Sequence, residues 1–175
     1  VLTHVHDDHI GGTVTAQGEP AFQNARYLVN RIDLAWQEEL AQRFDEDRAI
    51  WDRLLAPLRS RGVLQAIDGD HEITKGVRAR HLPGHTPGHQ VVQVSDGGAS
   101  LLLSGDAINH PAQLRQPELA GGPDDDPETA GRARRGLIAE LVDSDRLLAP
   151  AHFAEPFGRL VSDGPAGQIS WRPIS

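Results

Sequence analysis

Four side chains that can bind a metal ion lie close together near the start of the chain, in the segment Thr3-His4-Val5-His6-Asp7-Asp8-His9. His4 and His6 are two residues apart, so on an extended segment both imidazoles project to the same side and can reach one cation. Asp8 and His9 follow where the chain would turn into a helix, and they can face a second cation. Nitrogen and oxygen ligands at this density predict a site for Zn²⁺ or another borderline divalent metal.

Three more candidate ligands follow, each at the end of a predicted strand. His85 lies on a Pro/Gly turn in the sequence Pro-Gly-His-Thr-Pro-Gly-His. Asp106 directly follows an apolar run, where a buried carboxylate needs a cation. His152 comes after a second apolar run, Leu-Leu-Ala, in the same way. Four ordered motifs are far more specific than any one of them alone.

Strands and helices that would position these residues alternate along the chain. Alternating or continuous apolar runs predict strands at residues 25–29, 63–67, 77–82, 90–94, 100–103, 147–149 and 167–172. A helix is predicted after an Asn30 cap, with an apolar stripe of Ile32, Trp36 and Leu40. A second helix follows Asp47, with Ile50, Trp51, Leu54, Leu55 and Leu58 on its core face and Pro57 expected to kink or end it.

A third helix is predicted after Asp126, which caps it, with Pro127 at the first helical position. Its core face consists of Ala130, Ala133, Leu137, Ile138, Leu141 and Val142. The polar Pro/Gly-rich segment before it, residues 109–126, is longer than an ordinary connection and is therefore expected to be functional or flexible.

The chain has 175 residues, a formal net charge of −8 and no Cys. This length predicts a single domain over residues 1–175. The 38% hydrophobic content is typical of a globular chain and leaves too little apolar sequence for a membrane span. An acidic excess without a basic run argues against nucleic acid or anionic lipid as the main partner. We therefore expect a small-molecule substrate, no membrane or nucleic-acid partner, a homodimer as one option, and the cytoplasm as the favoured location.

The motifs in their order resemble the metallo-β-lactamase fold superfamily of metal hydrolases. Within it, Gly-Asp-Ala-Ile-Asn-His-Pro at residues 105–111, and Ala-His-Phe at 151–153 followed by Gly158-Arg159, look most like the branch of acyl-homoserine lactone lactonases and methyl parathion hydrolase. The resemblance implies an α/β fold, the αββα sandwich. Since the chain contains no Met and starts at Val1, just before the first motif, we expect a fragment that lacks the first strands of the N-terminal half.

The resemblance also implies a ligand set. His4, His6 and His85 would hold one metal ion, Asp8, His9 and His152 would hold the other, and Asp106 would bridge them. The cofactors would be two divalent ions, with Zn²⁺ favoured and Mn²⁺, Fe²⁺ or Co²⁺ as alternatives. A hydroxide shared by the two ions would attack a lactone, a carboxyl ester or a phosphotriester, in falling order of preference, and Asp8 or Asp106 would pass a proton to the leaving group. Such a reaction needs no nucleophilic side chain, and the sequence accordingly contains no Cys and no Gly-x-Ser-x-Gly motif.

Two alternatives stay open: an iron-dependent thiol or persulfide oxygenase of the same fold, and a truncated, catalytically incomplete metal-binding domain. One departure concerns the substrate. Lactonases of this family carry a Tyr near the bridging Asp, whereas here Ala, Ile and Asn follow Asp106, and the only Tyr is Tyr27. Asn109 would be a weaker hydrogen-bond donor to a substrate oxyanion.

The remaining polar residues are given structural roles. We expect His89 to be a structural or hydrogen-bonding residue beside the site, and His81 to have a role in the core or the sheet. His71 is expected to be solvated in an acidic turn, and His110 is a candidate for lining the pocket. Asp7 is read as a capping or exposed residue. The acidic run 124–126 is interpreted as a loop and helix cap, and Arg132, Arg134 and Arg135 as a solvated helix face.

Overall fold

The computed structural model describes residues 1–120, 124–163 and 168–174. The chain divides into two compact units, Val1–Gly69 and Asp70–Ser175. Both contain strands and helices, so the predicted α/β class is confirmed, whereas the single domain over residues 1–175 stays a prediction. No helix among the described residues is long and apolar enough to span a membrane.

The first unit is built on two parallel strands, β1 and β2, which pair from Tyr27 with Leu64 to Asn30 with Ile67. The segment before His4 runs beside β1, since the Leu2 amide donates to the Leu28 carbonyl at 2.8 Å. The elements are α1 (Asp7–Ile10), a 3₁₀ turn (Gly11–Thr13), β1 (Tyr27–Asn30), α2 (Arg31–Arg43), α3 (Asp45–Ile50), a π-helical turn (Trp51–Leu55), α4 (Ala56–Ser60) and β2 (Leu64–Ile67).

The α2 helix starts as predicted but buries a different face. The Asn30 side chain accepts a hydrogen bond from the Ile32 amide at 2.9 Å, which confirms the cap. The predicted stripe is confirmed only in part, because Trp36 packs against the core whereas Ile32 is 47% exposed. Asp33 and Gln37 are buried on this helix instead. These two polar side chains can be buried because both are hydrogen-bonded, Asp33 to the Val5 amide and Gln37 to Asp47.

The second predicted helix is present and is interrupted before Pro57. It begins at Asp45, three residues earlier than predicted, and widens into a π turn over Trp51–Leu55 before α4. Since proline has no amide to donate, a local irregularity at this point agrees with the predicted kink. The predicted core residues Leu54, Leu55 and Leu58 are buried.

The second unit is a seven-stranded sheet in the order β3 to β9. Neighbouring strands are antiparallel except β6 and β7, which are parallel and are joined through α5. The elements are β3 (His71–Thr74), β4 (Val77–His81), β5 (Gln90–Asp96), β6 (Ala99–Gly105), a 3₁₀ turn (Pro111–Leu114), α5 (Pro127–Leu141), β7 (Leu147–Pro150), β8 (Gly158–Ser162) and β9 (Ile169–Pro173).

The strands predicted in this half are confirmed over the described residues, while Gly167, at the start of the last one, lies outside them. Two further strands were not predicted. The first is β3, where His71 pairs with Ala79 of β4, so the expectation of a solvated turn at His71 is wrong. The second is β8, which pairs with β9 along its whole length. The apolar face of α5 closes over this sheet through Leu137, Ile138 and Leu141.

Candidate metal centre

Sheet topology brings Asp106 and His152 to the same edge of the second unit. Gly105, at the end of β6, lies opposite Pro150, at the end of the parallel strand β7. The residues that follow two parallel neighbours leave the sheet side by side. His152 Nε2 accordingly lies 3.3 Å from Asp106 Oδ1.

A second imidazole faces the other oxygen of the same carboxylate. His85 Nε2 lies 3.3 Å from Asp106 Oδ2, and the exposed fractions of these two side chains are 2% and 7%. Two ligand atoms that each bind a tetrahedral Zn²⁺ at about 2.0–2.1 Å are about 3.3 Å apart. The donor types and both separations therefore fit a carboxylate that shares one metal ion with each imidazole.

The turn that carries His85 is held by the start of α5. The amides of Asp125 and Asp126 donate to the carbonyls of His85 and Gly84 at 3.0 and 2.9 Å. Gly84 has φ +132°, and a Cβ at this position would lie 2.3 Å from the Ala130 nitrogen. Only glycine allows so close an approach to the helix.

A buried carboxylate orients the His85 ring. Asp124 Oδ1 lies 3.0 Å from His85 Nδ1. Since a carboxylate only accepts, Nδ1 is the donor, and Nε2 is the nitrogen turned towards Asp106. Asp124 Oδ2 in turn pairs with Arg134 Nη2 at 3.3 Å. Burial raises the pKa of Asp124, but the hydrogen bonds and charges of His85 and Arg134 outweigh it and hold the pKa below its usual range.

Asp124 and Arg134 have roles that differ from those predicted. Asp124 contacts a candidate ligand rather than merely belonging to a loop, and Arg134, with a side chain only 1% exposed, is not part of a solvated face. The signal was present in the helical spacing, since Arg134 lies four residues after Ala130 and three before Leu137, both on the core face. Asp126 caps α5 as predicted, accepting from the Thr129 amide at 3.0 Å.

His89 fixes the backbone at Asp106. Its Nε2 accepts a hydrogen bond from the Asp106 amide at 3.1 Å, and its Nδ1 donates to the Leu82 carbonyl at 3.1 Å. Both ring nitrogens therefore serve the structure around the site, and the prediction of a hydrogen-bonding role is confirmed. His81 has a sheet role, with its Nε2 2.9 Å from the Pro87 carbonyl. His110 is exposed and caps the 3₁₀ turn through the Ala112 amide.

The first unit gathers the four predicted ligands of the first motif. The ring of His4 lies 4.7 Å from that of His6 and 4.1 Å from that of His9, measured between centroids. His9 Nε2 lies 3.4 Å from Asp8 Oδ2, and the Asp8 side chain is 56% exposed. The extended backbone at His6 followed directly by α1 reproduces the predicted strand-to-helix turn.

One residue that fixes this segment was not predicted. The carboxylate of Asp33, on α2, accepts a hydrogen bond from the Val5 amide at 3.0 Å, and the residue is fully buried. This bond holds the backbone between His4 and His6. Asp7, by contrast, is exposed in the first turn of α1, as expected.

Residues 1–152 match the metallo-beta-lactamase superfamily. The chain belongs to this superfamily.

Curated relatives are similar over part of the chain. An N-acyl homoserine lactonase from a Bacillus species is 34% identical over 104 residues, which cover 58% of this chain and 35% of that protein. The N-acyl homoserine lactonase AiiA of Bacillus thuringiensis subsp. kurstaki is 30% identical over 108 residues, covering 61% and 37%. The match thus spans about a third of these relatives, and it supports the predicted lactonase branch.

Solved structures agree in fold over nearly the whole chain. AidC, a dizinc quorum-quenching lactonase in complex with a product, has a TM-score of 0.83 at 23% identity, covering 99% of this chain and 63% of that one. The hydrolase AbOPH of the beta-lactamase superfamily has the same TM-score and identity, covering 99% and 62%. This similarity confirms the predicted metallo-β-lactamase-type fold.

Proposed function

We propose that the protein of this chain is a metal-dependent hydrolase that uses hydroxide generated at two divalent metal ions to cleave an ester-like bond in a small molecule, with a lactone as the first choice. His4, His6 and His85 would bind one ion, Asp8, His9 and His152 the other, and Asp106 both. This assignment of ligands follows the motif order of the superfamily.

The arrangement around Asp106 carries the proposal. Each of its carboxylate oxygens has an imidazole Nε2 at 3.3 Å, from His85 on one side and His152 on the other. A buried carboxylate placed between two imidazoles suits a bridging ligand, and the nitrogen and oxygen donors suit Zn²⁺. The dizinc composition of AidC supports the same choice of metal.

Bound metal ions would lower the pKa of a shared water towards about 7 and polarise the substrate carbonyl or phosphoryl oxygen. The residues of the chain contribute orientation and proton transfer. Asp106 is held by His89 through its amide, so its carboxylate keeps a fixed direction. Asp8, whose side chain is 56% exposed, or Asp106 would pass a proton to the leaving group. In Asp8→Asn, turnover should therefore fall even where metal is retained.

The choice of a lactone as substrate rests on the lactonase relatives. A contact of Tyr27, the only Tyr in the sequence, bears on this choice. The hydroxyl of Tyr27 accepts a hydrogen bond from the Phe22 amide at 2.8 Å, so this Tyr serves the loop before β1. Asn109, three residues after Asp106, follows the candidate bridging ligand and is the residue we propose as a donor to the substrate oxygen.

Metal content of purified variants tests the proposal. Elemental analysis measures the Zn²⁺ content. We expect two equivalents in the unchanged chain, fewer than two in Asp106→Ala, and one in His152→Ala. Asp96→Ala and His110→Ala remove the same chemical groups from exposed positions and should keep both equivalents. Full occupancy in Asp106→Ala and His152→Ala would refute the ligand assignment.

A substrate panel then tests the reaction. Lactone, aryl ester, phosphotriester, thioester and β-lactam substrates are assayed with Zn²⁺ or Mn²⁺, and we expect the highest kcat/KM for a lactone. Oxygen consumption with Fe²⁺ and a thiol, in the absence of hydrolysis, would favour the oxygenase instead. Metal binding without turnover of any kind would favour the metal-binding domain.

A further inference from the structure

A side-chain relay extends from the interior of the second unit to the candidate ligand His85. Arg134 Nη2 pairs with Asp124 Oδ2 at 3.3 Å, and Asp124 Oδ1 pairs with His85 Nδ1 at 3.0 Å. The three side chains are between 1% and 2% exposed. Burying two charges is costly, so a pair with so little exposure needs further partners.

Arg134 has those partners. Its Nε donates to the Ala107 carbonyl at 2.8 Å, and its Nη1 donates to the carbonyls of Pro117 and Leu119 at 2.7 and 3.0 Å. Ala107 directly follows the candidate bridging ligand Asp106. One guanidinium group therefore touches both the residue that orients His85 and the backbone that carries Asp106.

We propose that Arg134 and Asp124 are positioning residues for metal binding: the guanidinium fixes the Asp124 carboxylate, which holds the His85 ring with Nε2 directed at the metal. The inference rests on the proposed function, because it concerns one ion of the same centre. Arginine suits this role better than lysine, since its planar fork reaches a carboxylate and three carbonyls at once.

Replacing Arg134 by Lys separates the hydrogen bonds of the guanidinium group from the effect of its positive charge. Lysine keeps the positive charge but cannot donate to all four acceptors, so the Asp124 carboxylate loses its fixed direction. Arg132→Lys is the matched control, because Arg132 lies on the same helix, its side chain is 55% exposed, and it pairs with the neighbouring side chains of Glu128 and Thr129. Asp124→Asn removes the charge while keeping an oxygen that can accept from His85.

The experiment is a titration of the metal-free chain with Co²⁺ against a chromophoric chelator, with the visible spectrum of bound Co²⁺ as a second readout. Loss of an outer hydrogen-bond partner typically weakens metal binding about 10–100-fold. We expect a loss of this size for one of two equivalents in Arg134→Lys and Asp124→Asn, a changed spectrum for that equivalent, and no change in Arg132→Lys. In the double variant the loss of Co²⁺ affinity should not exceed that of the stronger single variant, because Arg134 acts on His85 through Asp124.

Thermal unfolding of the metal-free variants separates positioning from stability. If Arg134→Lys lowers Tm but binds both Co²⁺ ions with unchanged affinity and spectrum, Arg134 is only structural and the inference is overturned. If the unchanged chain binds two equivalents and only His85→Ala weakens one, the inference fails while the proposed function stands. If the unchanged chain binds no Co²⁺ or Zn²⁺, the proposed function itself fails.

Discussion

Replacing Gly84 by Ala tests how the His85 turn is built. The residue has φ +132°, a conformation that costs an L-residue about 1–3 kcal/mol. The added Cβ would also lie 2.3 Å from the nitrogen and 2.4 Å from the Cα of Ala130. Both atoms belong to the backbone of α5, so no side-chain rotation can relieve the overlap, and overpacking of this kind costs about 1–3 kcal/mol.

The two contributions together predict a loss of about 2–6 kcal/mol in the free energy of unfolding. That is a large part of the roughly 5–15 kcal/mol that stabilises a typical domain. Because the turn must also move away from α5, His85 is displaced from Asp106, and metal affinity should fall even in the variant molecules that remain folded.

Urea unfolding followed by far-UV circular dichroism, with EDTA present, measures the stability effect. Gly136→Ala is the matched control, since Gly136 lies in α5 and an added Cβ would meet no described atom within 4 Å beyond the neighbouring backbone of the helix itself. Alanine should stabilise the helix there by about 0.5–1 kcal/mol. A free energy of unfolding for Gly84→Ala within about 0.5 kcal/mol of the unchanged chain would refute the close approach of turn and helix.

Two further predictions concern buried or partly buried carboxylates. Burial raises the pKa of Glu140, but hydrogen bonds from Arg146 and Arg80 outweigh this and lower it below 4.5. The stabilisation is therefore present above pH 4.5 and lost as the pH falls through the lowered pKa. Glu140→Gln should lower the free energy of unfolding in urea by about 1 kcal/mol at pH 7. This difference should shrink as the pH falls below 4.5, and an equal difference at neutral and acidic pH would contradict the prediction. Asp33→Ala removes the acceptor of the Val5 amide and should cost about 2 kcal/mol, whereas a change below about 0.5 kcal/mol in the same assay would show that the bond is dispensable.

Local chemistry explains which parts of the fold could be predicted. Asn30 and Asp126 accept from amides two and three residues ahead, so their caps depend only on neighbouring sequence. Strands β3 and β8 have only four and five residues, too few for a clear apolar pattern, and each is paired with a strand that follows it in the sequence. Residues 158–162, for example, pair with residues 169–173, and no pattern within the strand itself indicates this partner.

The candidate ligands could be chosen from local sequence for a similar reason. His4, His6 and His9 belong to one short motif, and His85 has a distinctive Pro/Gly turn. The residues that orient them lie far away in sequence. Asp124 is 39 residues from His85, and Asp33 is 28 residues from Val5. Charged residues at such separations are indistinguishable from solvated ones until the fold brings them to the ligand.

In both units a buried side chain that accepts a hydrogen bond from a backbone amide fixes a candidate ligand before any metal binds. In the first unit a buried carboxylate, Asp33, accepts from the amide beside His4. In the second unit a buried imidazole, His89, accepts from the amide of Asp106 itself. A backbone held in this way loses little conformational freedom when a ligand atom binds an ion, so less of the binding free energy is spent on ordering the chain. Tight metal binding by this chain would then reflect the rigidity of these two segments as much as the number of donors.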